Sequence, residues 1–301
     1  MMIHLSPLSI YNGGSKVVVE MRSKDLVSRI KTDLASQAQA FRERGIRPHL
    51  VTILVGNDAA SISYAKSKQK LADQIGAQFS LKLFPSITTT ELLQEIDNLN
   101  EDPSVHGIML ELPLPKTLDQ HAIVSRINPK KDVDALNPVH LGNLLAGQAS
   151  KIPNTALASM TLMAEYGIDL VGKQAVMVGR SLIVGKPLAE LMSQAGATVT
   201  VCHSQTKDLA NYTRQADIIC VAIGRPGYIT GDMVKEGAVL VDIGTNYDQN
   251  GKLVGDAAYS ELKDKLSAIT PVPGGVGPLT NLMLFKQLYD QIDKDLGYGS
   301  R

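Results

Sequence analysis

The stretch VMVGRSLIVGKP (residues 176–187) runs from an apolar segment into Gly179, and reaches a second glycine, Gly185, just before Lys186 and Pro187. A buried strand, a glycine turn and a helix start in succession are how a parallel α/β sheet offers backbone N–H groups to a phosphate. Two phosphate-binding patterns come close, and both fail. The Walker pattern needs four residues between its glycines and a Ser or Thr after the Lys to reach magnesium. Here five residues separate Gly179 from Gly185, and Pro187 takes the place of the hydroxyl. The dinucleotide pattern GxGxxG fails because Ser181 and Val184 stand at its second and third glycines. What survives is the context, with Pro187 in the first turn of the following helix, where its missing N–H costs nothing.

Reading outward, the next strand, ATVTVCHSQT (residues 197–206), ends in His203, Ser204, Gln205 and Thr206. An NAD site usually ends this strand in an acid that binds the ribose hydroxyls. With no carboxylate to repel it, a 2′-phosphate fits against Arg180, Ser181 and Ser204 through charge-assisted hydrogen bonds, so these residues favour NADP over NAD. An ordinary tight turn with an exposed arginine is the alternative at this level.

The whole chain bounds the reading. Its 301 residues, 44% hydrophobic and 20% charged, suffice for two globular domains. Thirty basic residues cancel thirty acidic ones with no long Lys/Arg run, which disfavours nucleic acid and points to a small-molecule partner. Cys202 and Cys220 lie in apolar strand-like segments without metal-ligand spacing, so neither a metal site nor a disulfide framework is expected, and a reducing cytoplasm fits. The opening MMIHLSPLSIYNGG lacks the marks of an export signal, and no apolar run reaches membrane-spanning length, so no membrane partner is expected.

Periodicity organises the rest. Apolar residues at helical spacing over 24–44 are followed by strand 49–56, helix 61–75, strand 78–84, helix 90–100, strand 106–112 and a helix near 119–127. Residues 128–138 read as a loop. The rhythm restarts with helix 154–166 and strands 174–179, 198–203, 217–223 and 238–243, which read as a second, smaller parallel sheet. A final amphipathic helix, 278–296, is expected to return to the first domain. The fold class is therefore two α/β domains around a cleft, the second Rossmann-like: residues 1–153 with 281–301 form a catalytic domain, and 154–280 a nucleotide-binding one.

Three further stretches carry possible chemistry. In SISYAKSK (61–68), Tyr64 and Lys68 lie four apart and share a helix face with Leu71 and Ile75. Lys68 is either a snorkelling side chain or a partly desolvated amine usable for acid/base work. In GIMLELPLP (107–115), Glu111 is the only charge of an apolar run, and buried alone it would be very costly. Asp132 and Asp134 in KDVDA are turn acids or ligand contacts, and ITPVPGGVGPLTN (269–281) is a rigid loop whose amides can approach a flat ligand or a carboxylate.

Together with VGRSLIVGKP, TVTVCHSQT and VLVDIGTN, these segments stand in the order of the FolD family, the bifunctional methylenetetrahydrofolate dehydrogenase/methenyltetrahydrofolate cyclohydrolases, which the chain resembles from about Val18 to Leu296. The resemblance implies NADP-dependent oxidation of 5,10-methylenetetrahydrofolate to the methenyl form, then hydrolysis to 10-formyltetrahydrofolate, in a cytoplasmic homodimer with folate between the domains. It implies that Lys68 is the catalytic lysine, that Tyr64 stacks on the aminobenzoyl ring, and that Asp134 binds the pterin. Glu111, Gly275 and Pro278 would touch substrate, and Gly179, Arg180, Ser181, Ser204 and Thr245 would hold NADP.

Several residues depart from the family pattern. Glu111 replaces Gln, which sets a carboxylate beside Lys68; such a neighbour favours the ammonium form and should weaken hydrolysis more than hydride transfer. Ala135 replaces Gly, Thr245 replaces Ile, Leu279 replaces Met, and PNTALA (153–158) replaces a Pro-Cys-Thr-Pro-x-Gly segment. These changes keep two other readings open: a monofunctional dehydrogenase, and a folate- or nucleotide-binding paralogue without catalysis. A phosphotransferase is disfavoured by Pro187.

Overall fold

The computed structural model describes residues 18–298. In chain order its elements begin β1 (Val19–Glu20), α1 (Lys24–Arg42), β2 (His49–Val55), α2 (Ala59–Ile75), β3 (Gln78–Phe84), α3 (Thr89–Glu101), β4 (Gly107–Leu110), α4 (Gln120–Arg126) and α5 (Pro138–Leu145). They continue α6 (Asn154–Glu165), β5 (Gln174–Val178), α7 (Gly185–Gln194), β6 (Thr198–Cys202), α8 (Leu209–Thr213), β7 (Ile218–Val221) and β8 (Val239–Asp242). The last are β9 (Asn246–Tyr247), β10 (Leu253–Val254), α9 (Tyr259–Leu262), β11 (Ala268–Ile269) and α10 (Gly277–Asp295). Two compact units share the chain, one holding 28–152 and 281–298, the other 18–27 and 153–280.

The first unit is built on a parallel sheet of order β3-β2-β4. Its central strand β2 is buried from His49 to Leu54, as expected for a parallel strand covered on both faces. Leu92, Ile96 and Leu99 of α3 join Ile123 of α4 in one core cluster with Val51 and Ile53. Tyr289 of α10 packs edge-on against Phe41 of α1, with ring centroids 5.5 Å apart, and its hydroxyl donates to the Ile75 carbonyl. Two starts follow from their caps: Asp58 accepts the Ser61 N–H at 2.8 Å ahead of α2, and Thr88 and Glu91 form a capping box ahead of α3.

Residues 128–138 are more ordered than a plain loop. The Asp132 carboxylate accepts the N–H groups of Asp134 and Asn137, at 3.1 and 2.8 Å, and Asn137 caps the unexpected helix α5 with Pro138 at its first position. Lys151, only 3% exposed, drives its ammonium into this turn and donates to the carbonyls of Pro129, Lys130 and Asp132 at 3.0, 2.5 and 3.0 Å. Burial lowers its pKa to about 8.

The second unit has a parallel sheet of order β1-β11-β8-β7-β5-β6. This corrects two expectations. The second sheet is the larger, because β11 and β1 extend the four strands read from sequence. Residues 18–27 also group with this unit: Val19 donates to the Ser267 carbonyl and Met21 to that of Ile269, at 2.9 and 2.8 Å. Two-residue strands are too short to show a period. A β9–β10 hairpin completes this unit's strands.

In this sheet β5 lies between β6 and β7, so the loops leaving the three strands spread apart at their carboxyl ends. The glycines of the opening stretch make that turn possible. Gly179 has φ 122, and a Cβ there would stand 2.4 Å from the Ala222 carbonyl oxygen; one on Gly185 would stand 2.3 Å from the carbonyl oxygen of Gly179 itself. Strand, turn and helix close on one another in a space that admits no side chain. Among the described residues no helix is long and apolar enough to cross a membrane, and no group of three or more His, Cys, Asp or Glu could hold a metal ion.

The clamp on the 128–134 turn is open to test. Lys151→Met removes the donor from three carbonyls, all of them on the turn that carries Asp132, and should destabilise the protein by about 2–4 kcal/mol, since buried acceptors lose a charged donor. Equilibrium urea unfolding followed by circular dichroism measures this; a midpoint unchanged from the parent would show the clamp to be idle.

Candidate functional site

Lys68 sits on the buried stripe of α2 that also holds Ala65, Leu71, Ala72 and Ile75, and is itself 3% exposed. Its ammonium forms an ion pair and hydrogen bond with Glu111. Glu111 follows the last residue of β4, and its N–H extends the ladder to the Ile53 carbonyl at 2.9 Å. Helix spacing and the end of a parallel strand thus bring the two singular charges of the sequence together, and each explains the other's burial.

One turn before Lys68, Tyr64 is 48% exposed, so an aromatic face stands at the surface beside the buried amine. Asp134 follows the parallel bridge between Ile108 and Asp132, and comes two residues further along, toward the same end of β4 at which Glu111 stands. Ala135 has φ 56, the left-handed conformation that favours glycine. Tyr64, Lys68, Glu111 and Asp134 all belong to the unit of the three-stranded sheet.

The other unit carries a cavity of about 330 Å³ at the carboxyl ends of β5, β6 and β7, lined by Gly179 and Arg180, by His203, Ser204 and Thr206, and by Ile223, Arg225 and Tyr228 among others. Three of the five residues expected to hold a nucleotide, Gly179, Arg180 and Ser204, line it; Ser181 and Thr245 do not. The Ser181 hydroxyl instead accepts the N–H groups of Val184 and Gly185 at 3.2 and 3.3 Å, fixing the start of α7. Thr245 is an exposed residue just before β9. Arg180 donates weakly to Gln205 at 3.4 Å.

Gly275 and Pro278 stand in the same unit as this cavity. A Cβ on Gly275 would lie 2.7 Å from the Pro271 carbonyl oxygen and 2.9 Å from the Thr270 side chain, so the loop is closed on itself, and Pro278 lies in the first turn of α10. Sequence reasoning missed Arg225, Tyr228 and Asp256. The signal for the first two was the Gly-Arg-Pro-Gly run (224–227), separated from the end of β7 by two residues, because loops at carboxyl strand ends of a parallel sheet line its ligand crevice. Asp256 gave no such signal: its carboxylate accepts the N–H groups of Ile223, Gly224 and Arg225 at 2.6, 3.1 and 2.7 Å, a role set by the tertiary fold.

Comparison with known proteins agrees with this geometry. Residues 21–134 match the model of the tetrahydrofolate dehydrogenase/cyclohydrolase catalytic domain, and residues 153–296 that of the NAD(P)-binding domain of the same family. The chain is 46% identical to the bifunctional protein FolD of Halalkalibacterium halodurans over 88% of its length and 95% of that protein, and 45% identical to that of Bacillus subtilis over 87% and 93%. The structure of the bifunctional FolD enzyme from Campylobacter jejuni superposes with a TM-score of 0.91 at 44% identity, covering 92% of this chain and 99% of that one. That of Trypanosoma brucei FolD, complexed with NADP cofactor and inhibitor, gives 0.89 at 36%, covering 93% and 98%. This chain belongs to the tetrahydrofolate dehydrogenase/cyclohydrolase family.

Proposed function

We propose that this chain is a bifunctional enzyme that oxidises 5,10-methylenetetrahydrofolate to 5,10-methenyltetrahydrofolate with NADP and hydrolyses the product to 10-formyltetrahydrofolate, with Lys68 as its acid/base group. The observation that carries the assignment is the buried ammonium of Lys68, paired with Glu111 at the carboxyl end of β4 and one helical turn from the half-exposed ring of Tyr64.

In this reading the Tyr64 ring offers its face to the aminobenzoyl group, and Asp134 accepts hydrogen bonds from the pterin. Gly275, where backbone leaves no space for a side chain, and Pro278 supply close contact to the flat substrate. NADP, when bound, supplies the hydride acceptor, held through Gly179, Arg180 and Ser204; Ser181 acts by fixing the start of α7, and Thr245 completes the set. Loss of hydride leaves positive charge on the N–C–N bridge of the folate, which the Glu111 carboxylate stabilises. In the hydrolysis a water oxygen bonds to the methenyl carbon and the bond from that carbon to the ring nitrogen N5 breaks. Of the two water protons, one ends on N5 and the other is released. Lys68 is placed to relay them. Its amine is engaged by Glu111, a contact that must open before Lys68 can turn to the water, so in this reading hydrolysis is the slower of the two reactions. A homodimer in the cytoplasm, acting on a small folate and on neither nucleic acid nor membrane, fits the family and the formal net charge of zero.

Two measurements test the roles. Glu111→Gln should raise the ratio of methenyl hydrolysis to NADP reduction about tenfold, because one constraint on proton transfer is relieved; both are read by absorbance in parallel assays, and an unchanged ratio would remove Glu111 from the account. Adding Lys68→Met to that variant leaves no unpaired buried carboxylate, and hydrolysis should then fall about a hundredfold or more from the Glu111→Gln level. Hydrolysis persisting at that level in the folded double variant would assign the proton relay elsewhere.

A further inference from the structure

We infer that Arg225 is a second phosphate-reading cation of the nucleotide cavity, facing the 2′-phosphate of NADP together with Arg180. The inference rests on the NADP reading above and adds to it a residue from a different strand end.

Three observations carry it. First, position: Arg180 follows β5 and Arg225 follows β7, the neighbouring strand, and both line the 330 Å³ cavity that Ser204, following β6, also lines. Second, charge: no carboxylate lines this cavity, and among the described residues no acidic group lies within 4.0 Å of either guanidinium. Two like charges converging on so small a space repel, and a dianion between them relieves the repulsion and forms charge-assisted hydrogen bonds with both. NADP brings such a dianion at the ribose 2′ position, where NAD has a hydroxyl.

The third observation is preorganisation. The Arg225 N–H is one of three in succession that the Asp256 carboxylate accepts, and Asp256, 0% exposed, also takes the Asn246 amide at 2.9 Å. Its own N–H donates to Asp242 at 3.0 Å. The backbone that launches Arg225 is therefore fixed from beneath, and its guanidinium lies over the Tyr228 ring, 5.4 Å from the centroid. Stacking holds the planar group extended at little loss of freedom on binding, a use for which arginine is suited and lysine is not.

Titration calorimetry with 2′,5′-ADP and with 5′-AMP as probes, on the full chain and on Arg225→Gln and Arg225→Lys, tests this. Loss of one charge-assisted contact should weaken 2′,5′-ADP in Arg225→Gln by about tenfold to a hundredfold, with 5′-AMP changed less than twofold. Arg225→Lys should recover part of the loss, since it keeps the charge without the fork. If both nucleotides weaken in equal proportion, Arg225 packs on the adenine and the proposal falls; if neither weakens, Arg225 does not touch the nucleotide and it falls likewise. A parent protein that binds 2′,5′-ADP no better than 5′-AMP overturns this proposal through the NADP reading itself, an outcome separate from a parent that discriminates and a variant that does likewise.

Discussion

An ammonium withdrawn from water needs an acceptor of comparable strength, and this constraint fixes what each buried lysine can do. The first unit meets it twice in different ways. Lys151 spends its three donors on three backbone carbonyls, which leaves nothing over for a ligand and makes it a staple of the 128–134 turn. Lys68, equally buried, has Glu111 as its one hydrogen-bond partner among the described residues. Its other donor positions stay available to a substrate, and its partner is a side chain that can shift. The same physics thus yields one fixed clamp and one adaptable pair, and only the second is suited to chemistry.

Both lysines also depend on strand ends. Glu111 stands at the carboxyl end of β4 because the β2–β4 ladder continues one step past Leu110. The turn held by Lys151 is joined to β4 by the bridge between Ile108 and Asp132. The small sheet therefore sets the positions of Lys68's partner and of Asp134 at once, and a change in its register would disturb both.

Much of this architecture was legible in the residues, and what escaped did so for definable reasons. Helices with an apolar stripe and a stop signal, such as α1 and α2, and strands of five or more residues were found to within a few positions, because burial of one face imposes a period. Helix α5 was missed although Asn137-Pro138 is a sound start signal, since eight residues barely outlast the cap. β1 and β11 hold two residues each, and their pairing is decided by tertiary contact. Among the site residues, Glu111 stood out as the only charge of an apolar run and Lys68 as an amine on an apolar helix face, but that the two lie side by side came only from the family resemblance. Ser181 was read as a ligand contact from its place in the glycine turn and from the family resemblance; its hydroxyl accepts from the start of α7, a choice that short polar side chains near a helix N-terminus often make.

The distribution of acids in the second unit has a logic that residue types alone conceal. The sheet does carry carboxylates near its carboxyl edge, at Asp242 and Asp256, but both are turned to internal use. Asp242 accepts the N–H groups of Gly244, Asp256 and Ala257, and Asp256 those of the three residues ending in Arg225. Burial, above all, moves the Asp242 carboxyl up to about 6, while its three donors pull the other way. Acids so engaged rigidify the loop without facing the cavity, and β6 ends in His203 and Ser204 with no acid of its own. In the NADP reading proposed above, selection of a phosphorylated ribose therefore has two sources: the cations that face the cavity, and the inward turn of the carboxylates that would otherwise repel the phosphate.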